Sequence, residues 1–576
     1  MPATDDWGAD IIATVRKYAL QNAVEYNGKG QVGSVLGRLL SERADLRSRA
    51  KELKSLVMNE VDAANELADK EGVEAARTAL SATNPEALSR QKQQKRIGLK
   101  PLPNAIKGAV ILRFAPNPNG PLTLGHARGV AINSQYAEMY DGKIVLRFDD
   151  TDTKVKPPLP KAYSWIEKEF EWLSGKSADI IIRASDRMPV YLDYANQMIS
   201  SGFGYVCRCS AAEFKKLRDS KTPCTCRNRL IEENLKDWDS MKNGGIEEGG
   251  AVVRVKTDLQ LPNPALRDWP ALRIQHTSHP MVGEQYKVWP LLDFQSAIED
   301  YEQGVTHIIR GKDLMDSTRK QTLLYEHFGW NYPETLYWGR VKVHEFGSFS
   351  TSGMRSKIED GKYSGWDDAR LPTISALRRK GFDPAALRDF WIELGLTQKD
   401  ISISMQTIES FNSSIIDKKC ERRAFIRGAK TLHLDSSSFS VEPIMKVSVA
   451  RHPDGSEIGN REWDMDDGSI LIEENDLKNN KIRLKDFADI QISENKAIVE
   501  SWEKTDKRQI VHWLPSSMAI SATLTRNKGD SLVIEEGLIE NFELNEGAVI
   551  QLERVGFARI ESVQEDGKVN LLYLHG

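Results

Sequence analysis

Two groups of residues in this chain have the types and the spacing to do chemistry. One is GPLTLGHARG (residues 120–129), where Thr123, Gly125 and His126 stand at the junction between an apolar run and a helix-like run. Glycine lets an anion approach the backbone, free N–H groups at a helix start attract negative charge, and an imidazole adds a donor. The other is a set of cysteines, Cys207, Cys209, Cys224 and Cys226, spaced as C-x-C, fourteen residues, C-x-C, with Cys420 left over. Two short thiolate knuckles suit a tetrahedral zinc ion in a structural role, with four reduced thiols carrying no metal as the alternative; a cytosolic setting argues against disulfides.

The elements that must position the first group are legible around it. AVILRF (residues 109–114) is short, β-branched and apolar, so it reads as a buried strand, and the two prolines of APNPNGP then forbid a helix. From Leu124 to Tyr140 the spacing predicts a helix that Asp141-Gly142 ends, and KIVLRF (residues 143–148) reads as a second strand. Strand, loop, helix, strand places the loop and the helix start at the carboxyl edge of a parallel sheet, where nucleotides bind. A tight turn around a buried histidine is the competing reading. Two further glycine-bearing stretches carry no such expectation. GKGQVG (residues 28–33) follows a helix-like run instead of a strand, and GVTHIIRGKD (residues 304–313) has six residues between its glycines and Asp313 where a P-loop needs Ser or Thr.

With 576 residues and 40% hydrophobic content, the chain is expected to hold about four domains. No apolar run approaches the roughly 18 residues of a membrane span, and MPATDDWGAD lacks a secretory signal's basic start and apolar core, so the expected location is the cytoplasm, with no membrane partner. Lys and Arg total 79 against 83 acids, so a nucleic-acid partner must be met by local patches. One candidate lies between Glu86 and Glu138, where Arg90, Lys92, Lys95, Arg96, Lys100, Lys107, Arg113 and Arg128 occur without an intervening acid; a solvated interdomain linker is the alternative for its first part. The first hundred residues are helical in spacing, whereas from about Ser436 onward short alternating runs separated by Asn, Asp and Gly read as barrels or sandwiches.

Four blocks in order, RFAPNPNGPLTLGHARG, LRFDDTD, GVTHIIRGKD and STSGMRSKIEDGKYSGWDDARLPTISALRRKG, resemble archaeal-type glutamyl-tRNA synthetases. The first corresponds to the HIGH signature of class I aminoacyl-tRNA synthetases and the last to the region of the KMSKS loop. The resemblance implies an α/β Rossmann-type class I synthetase core with an N-terminal helical appendage (1–100), core halves at 101–204 and 286–347, an inserted acceptor-stem-binding domain at 205–285, a KMSKS-region loop and helical stem-contact segment at 348–425, and two anticodon-binding β-barrels at 426–576. It implies formation of glutamyl adenylate from L-glutamate and ATP with Mg2+, then transfer to tRNA(Glu), with tRNA(Gln) as a further candidate, by a monomer. The zinc knuckle would stand at the start of the insertion.

By the same resemblance Thr123, Gly125 and His126 are the catalytic contacts to ATP, and Pro116, Asn117, Gly120, Arg355 and Lys357 complete its site. Arg113 and Asp149 meet the amino acid, Asp149 at its α-ammonium, and Arg310 pairs with the γ-carboxylate that separates glutamate from glutamine. Departures from the pattern are Thr123 for the first His of HIGH, Leu292 for a tyrosine, and Ser348 and Gly353 for lysines, with Arg355 or Lys357 expected to restore the positive charge. A glutaminyl enzyme, and a catalytically silent tRNA-binding relative, are the alternatives. Trp513, Arg554, Phe557 and Arg559 are candidate anticodon contacts, with Trp513 and Phe557 also placed by their alternation as core residues.

Overall fold

Apolar residues recurring every three or four positions fold the N-terminal segment as helices. The structure, a computed structural model, describes residues 7–26, 28–84, 98–346, 350–435, 445–454, 458–466 and 468–576, in two compact units, Met1–Ile97 and Gly98–Gly576. The first unit contains α1 (Ala9–Glu25), α2 (Val32–Glu42), α3 (Ala50–Glu71) and α4 (Val73–Thr83). Leu53, Leu56, Val57, Val61, Ala64 and Ala68 of α3 share the buried face. The glycine-rich turn between α1 and α2 is held by asparagines, since Gly30 N–H donates to Asn65 Oδ1 (2.7 Å) and Gln31 N–H to Asn22 Oδ1 (2.7 Å). Its backbone donors serve a turn. Ser348 and the basic residues Arg90, Lys92, Lys95 and Arg96 lie outside the described residues.

The second unit opens with β1 (Ile111–Phe114), α5 (Leu124–Met139), β2 (Lys143–Phe148), α6 (Pro160–Ser174), β3 (Ile180–Arg183) and α7 (Met188–Ser200). The three strands are parallel in the order β1-β2-β3. The chain then makes an antiparallel sheet of β4 (Gly204–Cys207), β5 (Val252–Val255), β6 (Pro270–Ile274) and β7 (Val288–Pro290), with α8 (Ala211–Asp219) and α9 (Ile231–Lys242) between the first two strands. The last strand lies beyond the boundary at 285 read from the sequence. Next come α10 (Leu292–Glu302), β8 (His307–Gly311), α11 (Met315–Phe328) and β9 (Glu334–Trp338), with β8 parallel to β9. Thr306 N–H donates to Ile111 O (2.9 Å), which sets β8 beside β1. The lateral order is therefore β3-β2-β1-β8-β9, and the chain departs from β1 in opposite directions. Such a switch point leaves a crevice at the carboxyl ends of β1 and β8, with the start of α5 facing it.

After β10 (Val341–Val343) follow α12 (Thr351–Glu359), α13 (Ile374–Lys380), α14 (Pro384–Leu394), β11 (Ile401–Ile403) and α15 (Met405–Ile416). Besides an antiparallel two-stranded ribbon of Met445–Ala450 with Asn460–Met465, the remainder holds two seven-stranded sheets. In one, the edges are Arg422–Arg423 and Phe425–Ile426, separated by a single residue; in the other they are Gln509–Val511 and Leu514–Pro515, separated by two. Each ring is closed by one bent segment that pairs at both ends, so neither sheet keeps a free edge. The Rossmann-type core, the helical N-terminus and the C-terminal barrels are thus as the sequence implied. Trp513 (1% exposed) lies in the core of one barrel, and Phe557 (3% exposed) is buried from its barrel strand in the core formed with α13–α15, while Arg554 is paired with Asp476 and Arg559 donates to the carbonyl of Arg379.

Candidate active site

The turn into α5 is fixed from three sides. Leu122 N–H donates to Glu169 Oε2 (2.7 Å), Leu124 N–H to Pro372 O (2.8 Å), and Ile374 N–H to Leu122 O (2.8 Å). Thr123 is the N-cap residue, and its backbone N–H donates to Nδ1 of His126 at 3.1 Å. Burial, aided by the charge of Lys156, pushes the His126 pKa down to about 4. The imidazole is therefore neutral near pH 7, and with Nδ1 accepting, the proton resides on Nε2 as a donor.

A cavity of about 520 Å³ opens in front of this turn. It is bordered by the end of β1 and the following loop (Arg113, Phe114, Ala115, Pro116, Asn117, Asn119), the first turns of α5 (Gly125, His126, Gly129, Asn133), Ile309, Arg310 and Gly311 of β8, and Trp338 of β9. Val155, Lys156, Leu314 and Ser350, Thr351 and Ser352 complete the lining. A Cβ on Gly125 would meet nothing nearer than 3.8 Å, whereas one on Gly129 would lie 2.9 Å from the Phe114 ring. The first glycine leaves room for a ligand; the second lets α5 pack on β1. Among the described residues the lining holds Arg113, Lys156 and Arg310 but no carboxylate.

Of the residues singled out from the sequence, Arg113, Pro116, Asn117, Gly125, His126 and Arg310 border the cavity, and Thr123 caps the helix behind it. Gly120 is not among the lining residues, and a Cβ there would fall 2.6 Å from Thr351 Cγ2, so the position is closely packed. Asp149 is set back from the lining, its Oδ1 accepting from Arg147 Nε (2.8 Å) and Gln295 Nε2 (2.8 Å). Arg355 and Lys357 do not reach the cavity. Arg355 is drawn to Glu359 one helical turn later (2.9 Å), and Lys357 Nζ lies 5.8 Å from the Tyr363 ring centre. Gly353 lies in the first turns of α12, where its N–H donates to Ser350 Oγ (3.1 Å), and Leu292 begins α10 with its side chain exposed.

Behind the cavity lies a charge cluster that sequence reasoning missed. Asp300 of α10 is fully buried and accepts from Arg147 Nη1 (2.7 Å) and Arg113 Nε (3.3 Å). Burial alone would raise the Asp300 pKa, but the charges of Arg113, Arg147 and Arg310 outweigh it and hold the carboxyl below its ordinary range. Arg310 itself, 5% exposed, has only neutral hydrogen-bond partners among the described residues, Gln321 Oε1 (3.0 Å) and Thr318 Oγ1 (3.4 Å), and its Nε has none. Three guanidiniums against Asp300 and Asp149 leave a positive excess that a carboxylate ligand would neutralise. The charged residues inside the apolar strands ILRF and KIVLRF were a usable signal for Arg147; Asp300 and Gln321 gave none, being brought in from distant helices.

The four cysteine sulfurs converge as their spacing suggested. All lie within 4.8 Å of one another, with Cys207–Cys224 at 4.0 Å and Cys209–Cys226 at 3.9 Å. A tetrahedral zinc with bonds of about 2.3 Å would set its sulfurs roughly 3.8 Å apart. A disulfide would need about 2 Å, and all five cysteines are free thiols. Cys420 is buried elsewhere, in the core beneath α14 and α15.

The chain's similarity to known proteins agrees with this geometry. Residues 109–418, more than half of the chain, match the family described as tRNA synthetases class I (E and Q), catalytic domain. The chain is 44% identical to a glutamate–tRNA ligase of Methanosarcina mazei, over 97% of this chain and 98% of the relative. It is 44% identical to that of Methanosarcina acetivorans over 98% and 99%, and 42% identical to that of Archaeoglobus fulgidus over 96% and 98%. Relatives of this identity, matched from end to end and joined by the same catalytic-domain family, leave one assignment: the chain belongs to the glutamate–tRNA ligases of the class I tRNA synthetase family.

Proposed function

We propose that the chain activates L-glutamate with ATP to glutamyl adenylate and transfers the glutamyl group to the 3′ end of tRNA(Glu). The observation that carries the choice of amino acid is Arg310, a buried guanidinium at the cavity whose hydrogen-bond partners among the described residues are neutral. A γ-carboxylate completes its charge, whereas a neutral amide would leave it unpaired. In the first step an α-carboxylate oxygen bonds to the α-phosphorus of ATP, and the bond to the bridging oxygen breaks with its electron pair leaving on pyrophosphate. No covalent nucleophile is required, so the protein's part is positioning and charge stabilisation. The α5 start and the Nε2–H of His126 supply donors for phosphate oxygens, Asn117 and Pro116 shape the floor, Arg113 orients the amino acid, and Asp149 receives the α-ammonium through the oxygen that Arg147 leaves free. Since no carboxylate among the described residues lines the cavity, magnesium would arrive on the phosphates and neutralise their charge there. ATP–pyrophosphate exchange with L-glutamate and tRNA tests the reading: exchange supports it, and none with every substrate present overturns it.

The antiparallel insertion is assigned to the acceptor stem, α12–α15 to the stem body and the two rings to the anticodon, with the protein acting as a cytoplasmic monomer. No helix among the described residues is long and apolar enough to cross a membrane. Cys207, Cys209, Cys224 and Cys226 would hold one structural zinc at the start of the insertion, supported by the sulfur spacing. Charging of tRNA(Gln) is also proposed. The anticodons CUC/UUC and CUG/UUG differ only in their last base, and a ring that stacks that base without reading its edge accepts both.

A further inference from the structure

The cavity carries a third cation that the reaction as described leaves without a task. Lys156 lies in the segment between β2 and α6 and borders the cavity beside Val155. It is exposed and forms no ion pair among the described residues, whereas Lys154, two positions earlier, bonds Glu248 at 2.7 Å. Its charge adds to burial in disfavouring the imidazolium of His126. The other two cations are committed, Arg113 to Asp300 and Arg310 to the γ-carboxylate, and Arg355 and Lys357 are held away.

We propose that Lys156 is a phosphate-binding residue of the activation step, its ammonium contacting the triphosphate of ATP at the start of α5. The proposal rests on the reading of the cavity as the ATP site. A triphosphate brings several negative charges into a space whose described lining offers it the neutral Nε2–H of His126, the amides and hydroxyls of Asn117, Asn119, Ser350 and Thr351, and, besides the two committed arginines, this lysine. The imidazole provides direction; the lysine provides charge, as a mobile point cation that can follow the phosphates as pyrophosphate departs. The contact involves no proton transfer.

The test uses the full chain with Lys156→Ala, Lys156→Arg and Lys154→Ala, measuring ATP·Mg affinity by calorimetry and steady-state KM for ATP, glutamate and tRNA. Lys156→Ala should weaken ATP binding and raise the ATP KM by roughly tenfold or more, the scale of one hydrogen bond to a charged group. Inhibition by pyrophosphate should weaken in parallel. Lys156→Arg should recover most of the loss, and Lys154→Ala should behave as the parent. Unchanged ATP KM and affinity in Lys156→Ala would overturn the proposal. So would a loss confined to the tRNA KM, which would assign the ammonium to phosphates of the tRNA 3′ end. Absence of ATP binding by the parent would overturn the cavity reading itself, and this proposal with it.

Discussion

Arg310 donates from Nη1 to Oε1 of Gln321 across 3.0 Å, and that same oxygen accepts from the Tyr332 hydroxyl at 2.6 Å. An arginine buried at a cavity wall is thus held in place by a neutral amide, itself held by a phenol. The support fixes the guanidinium without spending its charge, which remains for a ligand.

Replacing Arg310 with Gln should lower kcat/KM for glutamate by about 100-fold or more, on the order of the 2–5 kcal/mol of a truncated buried charge pair. Affinity for tRNA should be nearly intact. An unaltered kcat/KM for glutamate would remove Arg310 from the amino-acid site. Gln321→Leu should give a smaller loss, expressed mainly in the glutamate KM, because it frees the guanidinium to wander without removing it.

Glu169 couples the α5 turn to the helical segment, accepting from Leu122 N–H (2.7 Å) and Ser375 Oγ (2.5 Å). Burial raises its pKa from about 4.5 to about 7, against these two hydrogen bonds. Between those values the folded protein keeps a proton that the unfolded chain has released, so this group's contribution to stability falls as pH rises through the window. The stability of the parent minus that of Glu169→Gln should therefore decrease from pH 5 to pH 8, by up to about 3 kcal/mol. Denaturant titrations at several pH values check this, and a pH-independent difference would contradict it.

Purified protein should contain one zinc per chain. Cys207→Ser or Cys224→Ser should abolish it and destabilise the insertion, while Cys420→Ser should leave metal content as it was, since that thiol lies in a separate core. Elemental analysis finding no thiolate-bound metal in the parent would sink the assignment.

Transcripts of tRNA(Glu) and tRNA(Gln) should both accept glutamate. Strict rejection of tRNA(Gln) would show that a ring reads the last anticodon base by hydrogen bonds, a contact worth about 1–3 kcal/mol.

What the sequence disclosed and what it hid divide along physical lines. Pro116, Asn117, Gly125 and His126 are close in sequence, so the strand, loop and helix that carry them deliver them to one cavity, and local pattern was sufficient. The cysteines also converged, because short knuckles leave the backbone few ways to aim four sulfurs. Asp300, Gln321 and Lys156 reach the site only through tertiary packing, and no periodicity marks them. Arg355 and Lys357 suit a phosphate by residue type, and what pattern alone did not foretell is where the fold sets them, Arg355 against an acid on the next helical turn and Lys357 near the Tyr363 ring. Closure of the two rings was implied by the resemblance alone: the alternating strands by themselves left barrels or sandwiches open, since closure depends on bent segments such as Gln509–Val511 and Leu514–Pro515 pairing with partners on both sides.

The central claim is that this site selects glutamate and joins it to tRNA. Total tRNA charged in parallel with labelled L-glutamate and labelled L-glutamine, with ATP and magnesium, tests it most directly. Glutamate should be incorporated and glutamine should not; incorporation of glutamine in preference to glutamate, or of neither, would contradict the claim.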